Sequence, residues 1–193
     1  MKSSQSYYDA KTKVYWYVPF GKHEGELIPR LILTHPHYIH WCIQEMTSGL
    51  GLELVKSMKH FMGVFDKIPF RYHCDNRLGC GGMAEYVAVK KQKELSKPIY
   101  LCERCKSIAT DHVLITTYQQ ALDYVYETYG DNIVEFSRAI TYLCRGKGLH
   151  AKRTDEQIMR FFGLVDLEKP RAVFRRKGGR HPRKKAKTIS SRY

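Results

Sequence analysis

The sequence predicts an α+β chain with a small N-terminal strand–turn–helix domain, a zinc-ribbon-like hairpin module and a C-terminal helical region with a disordered basic tail. Three observations predict it. Cys74 and Cys80, then Cys102 and Cys105, form two cysteine pairs that flank positions 81–101. Apolar residues recur at helical spacing on both sides of that module. Positive charge concentrates at the C-terminus: residues 168–193 hold 11 of the 33 Lys and Arg but one of the 19 Asp and Glu, a net +10 of the total +14. The boundaries implied are 13–64 for a nucleic-acid-binding-like domain, 65–112 for the four-cysteine module, 113–167 for the helical region and 168–193 for the tail.

Residues 1–12 are polar and expected to be mobile. Lys13-Val14-Tyr15-Trp16-Tyr17-Val18 is β-branched and aromatic and reads as a strand. Pro19 to Gly25 reads as a tight connection, with Gly21 and Gly25 free to take positive φ. Glu26 to Leu33 fits a strand or a short helix, because Pro29 opposes a long helix. Thr34-His35-Pro36 is a helix start, with Thr34 or His35 capping and Pro36 in the first turn. Tyr38, Ile39, Trp41, Cys42 and Ile43 make that helix largely apolar. Gly49 and Gly51 break it. Leu52, Leu54, Val55, Met58, Phe61 and Met62 predict a second helix ending near Gly63.

Two cysteine pairs around a hairpin-sized insert are what a tetrahedral structural zinc site requires. Met83 to Val89 alternates like a strand, and Lys97 to Leu101 is a short second strand that runs into Cys102. Pro98 belongs at its start or edge, since it cannot donate to a ladder. Cys74, Cys80, Cys102 and Cys105 are therefore the candidate ligands of a structural Zn2+. The first pair is wider than usual, and His73 is a possible substitute ligand. A closed four-thiolate shell leaves no position for water, so such a metal folds the protein and does not catalyse. Cys42 and Cys144 sit in apolar helical patterns and read as small core residues. No secretory signal is visible, so a reducing, intracellular compartment (cytoplasm, nucleus or organelle matrix) is expected, where metal binding is favoured over disulfides.

After the module, Thr116 with Gln119, or Thr117 with Gln120, makes a capping box. Tyr118, Leu122, Val125 and Tyr129 follow at helical spacing until Gly130. Asp131 is a candidate cap for the next helix, which turns Ile133, Phe136, Ile140, Leu143 and Cys144 inward. Arg145 to Arg153 reads as a basic loop. Thr154 and Gln157 make another capping box before Ile158, Met159, Phe161 and Phe162.

The core of the tail, residues 175–187, has almost no apolar residue to bury, so it is expected to be disordered alone. A flexible polycation suits phosphate neutralisation with a steep salt dependence. Arg175, Arg176, Lys177, Arg180, Arg183, Lys184, Lys185 and Lys187 are the candidate contacts. A localisation signal or a solubilising tail are the plainer alternatives.

Val18-Pro19-Phe20-Gly21-Lys22-His23-Glu24-Gly25-Glu26-Leu27-Ile28, followed by Tyr38-Ile39-His40-Trp41, resembles a small domain at the C-terminus of exodeoxyribonuclease X-like proteins. The likeness covers residues 13–46. It implies a nucleic-acid-binding accessory domain. Glu24 departs from the pattern, where a basic residue is usual, and weakens one potential phosphate contact. The residues themselves make a compatible picture. Phe20 enters the core, the glycines let backbone N–H groups approach a ligand, and Lys22 and His23 sit at an exposed turn facing phosphate. Tyr15 and Tyr17, or Trp16, could offer a stacking platform, or belong to the core.

No apolar run approaches the ~18 residues of a membrane span. The acids are scattered, with no pattern that gathers them around two metal ions. No nucleophile elbow, Walker loop or dinucleotide fingerprint is present. His37 and His40, at i and i+3 with His35 near, are the remaining histidine cluster. The expectation is a non-catalytic nucleic-acid-binding protein (DNA or RNA) with a structural zinc, acting beside other protein subunits in a larger complex. A ribosome-associated RNA-binding protein and a nuclease-related enzyme are the alternatives.

Overall fold

The computed structural model describes residues 8–9, 12–76, 80–90, 92, 95–149 and 154–164. The chain is α+β, as its sequence predicts. The basic tail at 168–193 lies outside the described residues.

At the N-terminus, β1 (Tyr8–Asp9) pairs antiparallel with β2 (Val14–Tyr15). The chain then turns through Gly21 and Gly25, both at positive φ (84° and 80°). It closes on itself where Val18 N–H donates to the Glu26 carbonyl and Gly25 N–H to the Val18 carbonyl. The ambiguous stretch that follows is helical. Helix α1 (Ile28–Thr34) starts with Pro29 in its first turn and buries Leu31, Ile32 and Leu33. It stops at His35 because Pro36 follows, and a residue before proline is pushed out of the helical region. His35 sits at φ −133°, ψ 54° and is at once the end of α1 and the residue before α2 (Pro36–Glu45). Neither Thr34 nor His35 caps α2 with its side chain; the Thr34 hydroxyl donates instead to the Arg30 carbonyl, 2.9 Å away.

Helix α3 (Gly49–Lys67) continues four residues past Gly63. Leu54, Val55, Met58, Phe61, Met62 and Phe65 lie on one buried face. Ser57 on that face accepts from Tyr15 N–H at 2.8 Å and docks β2 against the helix.

A three-stranded sheet follows in the order β4-β3-β5, with β3 (Tyr86–Val89) central. β4 (Ile99–Leu101) pairs with it antiparallel, Tyr86 opposite Leu101, as the hairpin expectation has it. β5 (Val113–Ile115) closes the other edge, with Val87 opposite Ile115. Successive strand residues point to opposite faces. Val87, Val89, Tyr100 and Ile115 enter the main hydrophobic core. Their neighbours Tyr86, Ala88, Ile99, Leu101 and Leu114 join a second, smaller cluster with the cysteines. The sheet is thus a partition with a helical core on one side and a cysteine cluster on the other.

Three helices complete the core. Thr117 and Gln120 form the capping box of α4 (Tyr118–Tyr129), which ends at Gly130 with φ 63°. Asn132, not Asp131, caps α5 (Ile133–Gly146), accepting from the N–H groups of Val134 and Glu135. That helix runs into the stretch expected to be a loop. Thr154 and Gln157 cap α6 (Asp155–Phe161) as expected. The main core draws buried side chains from every segment, from Val14 through Leu54, Val87 and Phe136 to Ile158 and Phe162. Cys42 and Cys144 are fully buried within it. Burial pushes the Cys42 thiol up to about 11, which suits an inert core residue.

A candidate metal centre behind the sheet

Two chain crossings build the site. The first is the segment after α3. Arg71 N–H donates to the Gly146 carbonyl at 2.7 Å, and Asp75 exchanges bonds with Tyr100: its N–H with the Tyr100 carbonyl (2.7 Å) and its carboxylate with the Tyr100 N–H (2.8 Å). Cys74 N–H donates to the Gly82 carbonyl at 2.9 Å, which brings the two ends of the first cysteine pair together. The second crossing is the turn after β4, where a 3-10 helix (Glu103–Ile108) folds Cys105 back so that its N–H meets the Cys102 carbonyl at 3.0 Å.

These crossings gather one sulfur from each of Cys74, Cys80, Cys102 and Cys105 within 4.8 Å of one another. The four could hold a metal ion. The Cys80 and Cys102 sulfurs are 3.7 Å apart, far beyond a disulfide bond, and all six cysteines are free thiols. Gly82 packs closely against this cluster: a Cβ there would lie 3.2 Å from the Cys102 sulfur, tighter than ordinary contact.

Amide groups donate to the sulfurs. The Asn76 side-chain amide donates to the Cys105 sulfur at 3.1 Å. The backbone N–H groups of Asn76 and Cys105 stabilise the Cys74 and Cys102 thiolates respectively. Burial pushes the Cys102 thiol up, but hydrogen bonds from Cys105, Cys80 and Cys74 outweigh it and hold the group at about 7. Cys74 moves the other way, with burial as the leading cause. Arg104 caps the rim by donating to the Cys80 carbonyl at 3.0 Å. His73 is exposed, pairs with Met83 across an isolated bridge, and takes no place in the cluster.

The remaining sequence candidates do not converge. Lys22 is exposed at the Gly21–Gly25 turn, as expected. The expectation that His23 is exposed is corrected: it is only 5% exposed, held between the rings of Tyr38 (4.4 Å) and His35 (4.8 Å). Of residues 21–25 only His23 is buried, and there the helix junction supplies the aromatic wall. Tyr15, Trp16 and Tyr17 are half-buried against the core, with Trp16 edge-on to Phe61 at 5.6 Å, so they form no open platform. Trp41 is 46% exposed and stacks on Tyr38 at 5.8 Å. His37 and His40 pack on Phe136 and join no metal-ligating group among the described residues. Arg175, Arg176, Lys177, Arg180, Arg183, Lys184, Lys185 and Lys187 lie outside the described residues.

One group the sequence did not single out is Lys147, which is 2% exposed. Its ammonium donates to the carbonyls of Asp66 and Ile68 at the end of α3 and lies 4.9 Å from the Phe70 ring centroid. Its signal was a lysine placed just after an amphipathic helix, which sequence alone assigns to solvent.

No family model, curated protein or solved structure matches the chain. The likeness of residues 13–46 to the exodeoxyribonuclease X-like domain therefore rests on its motif residues. No helix among the described residues is long and apolar enough to cross a membrane.

Proposed function

We propose that the chain is a non-catalytic nucleic-acid-binding protein in which Cys74, Cys80, Cys102 and Cys105 hold one structural Zn2+, and that it acts as an accessory subunit of a larger nucleoprotein complex. The observation that carries nucleic-acid binding is the charge distribution: +10 of the net +14 falls in residues 168–193, and residues 175–187 within them carry almost nothing apolar. Exposed Lys22, with Trp41 presenting an aromatic face on the same N-terminal segment, supports a secondary contact.

The donor set supports zinc as the metal. Thiolates at ~2.3 Å from a tetrahedral zinc are separated by about 3.8 Å. The 3.7 Å between Cys80 and Cys102 fits that edge. Four sulfurs fill the shell, so the ion has no open position for water and serves the fold. It fastens the outer face of the sheet, where only a few small apolar residues are buried.

The test is fluorescence anisotropy of the full chain with labelled duplex DNA and a structured RNA hairpin across a salt titration, paired with metal analysis. Binding should weaken log-linearly with salt, and deleting residues 168–193 should flatten that slope. A strong preference for the hairpin would favour the ribosome-associated alternative. No binding to either at low salt overturns the reading, as does metal-dependent cleavage of either strand. One thiolate-bound zinc per chain, lost on Cys102→Ser, is expected.

A further inference from the structure

His23, Glu26 and His35 form a second group of ligating side chains, remote in sequence from the cysteines. One ring nitrogen of each histidine and one carboxylate oxygen of the glutamate lie within 4.8 Å of one another. Nothing in the nucleic-acid reading uses them. We propose that these three residues bind a divalent metal ion of the zinc type through two imidazole nitrogens and one carboxylate oxygen, leaving a fourth position for water.

The scaffold is fixed by backbone. Glu26 N–H donates to the His23 carbonyl at 2.9 Å, so the Gly21–Gly25 turn sets those two residues at its closing end. His35 is held at the kink between α1 and α2, where its N–H donates to the Leu31 carbonyl at 2.8 Å. Pro36 enforces that kink.

An unmet need of His23 points to the ligand. The side chain is buried, yet its Nδ1 makes no hydrogen bond. That atom faces Glu26 Oε1 at 3.3 Å. Buried polar atoms are nearly always satisfied, and one left over asks for an ion or a water. Nitrogen and oxygen ligands ~2.0–2.2 Å from a tetrahedral zinc stand about 3.3–3.5 Å apart, which the His23–Glu26 separation already matches. The partly exposed Glu26 carboxylate can rotate to close the remaining separations.

The third ligand has its tautomer set. The single proton of the Thr34 hydroxyl goes to the Arg30 carbonyl, so at 2.8 Å from His35 Nδ1 that hydroxyl can only accept. Nδ1 of His35 therefore carries the proton, and Nε2 is left with a lone pair to offer. This is the outer-shell arrangement that orients ligating imidazoles. Burial first, and His23 second, hold His35 below its ordinary 6.5, so the ring is neutral at pH 7. Donors of this kind, two imidazoles and a carboxylate, suit zinc with one coordination position open.

The experiment is a Co2+ titration of the full chain, with Zn2+ stoichiometry measured in parallel. Thiolate-bound Co2+ has an intense sulfur-to-metal charge-transfer band in the near ultraviolet, and a nitrogen–oxygen site has only visible d–d bands. The wild-type chain should take up one equivalent without the thiolate band. Glu26→Gln and His35→Ala, both at solvent-accessible side chains, should each weaken that equivalent at least tenfold and leave the thiolate-bound one intact. The proposal is overturned if every bound Co2+ carries the thiolate band. It is equally overturned if the band-free equivalent persists in the Glu26→Gln/His35→Ala double variant.

Discussion

The ammonium of Lys147 donates to the carbonyl of Ile68 at 2.6 Å and to that of Asp66 at 3.1 Å. A cation just beyond the end of α5 thus ties down the end of α3, against the rings of Phe65 and Phe70. Last-turn carbonyls have no intrahelical partner, and a cation is favourable there. Lys147→Met keeps most of the side-chain bulk but removes these donors. It should cost about 1–3 kcal/mol, the penalty for buried polar groups left without partners. Urea denaturation checks this; an unchanged midpoint would show that the carbonyls find other partners.

Gly146 sits where a Cβ would come 2.6 Å from a Phe70 ring carbon and 3.0 Å from Tyr100. Alanine normally favours a helix over glycine. Here overpacking should dominate, and Gly146→Ala should destabilise by about 1–3 kcal/mol. Thermal melting of this variant beside a control such as Gly63→Ala, where a Cβ meets open space, separates the two effects.

The metal centre should be coupled to the sheet it backs. Chelation is expected to expose amides of β3 and β4 to hydrogen exchange while the helical core stays protected. Asn76→Ala, which removes the side-chain donor to Cys105, should lower metal affinity by roughly 10-fold or more. Competition with a chromophoric chelator measures that. Equal affinities in both proteins would assign Asn76 a purely structural role.

His40 is 3% exposed, lying against the rings of Tyr126 at 4.6 Å and Phe136 at 5.2 Å. Burial lowers its pKa from 6.5, with Asp131 and Asp123 opposing. The unfolded chain therefore takes up a proton below 6.5 that the folded chain resists. Stability from this residue is present above pH 6.5 and is lost as the pH falls below it. His40→Phe should flatten the stability–pH curve in that window. A slope identical to wild type would place the acid sensitivity elsewhere.

Local chemistry was legible because it needs only neighbours in sequence. The Thr117–Gln120 and Thr154–Gln157 capping boxes and the turn glycines at 21, 25 and 130 act within a few residues. The four cysteines were legible for a related reason: paired thiols imply convergence without saying where the chain goes between them. β5 was missed because three residues, Val113–Ile115, have too little pattern to declare a strand without β3 beside them. Asp131 and Asn132 are both good caps, and only the backbone path chose Asn132.

By itself the sequence determined the α+β class, the candidate ligand set and the uneven charge, all properties of residue type and spacing. Only the tertiary structure decided what each surface faces. It drew side chains from residues 14 through 162 into one core, because no single segment can bury its own apolar face. It turned alternate residues of one short sheet toward two different clusters. It took His23 out of solvent and set it beside His35 and Glu26, a meeting that depends on a turn and a proline kink acting together. Burial is a property of the whole packed chain, and that is why residue identity alone did not give it.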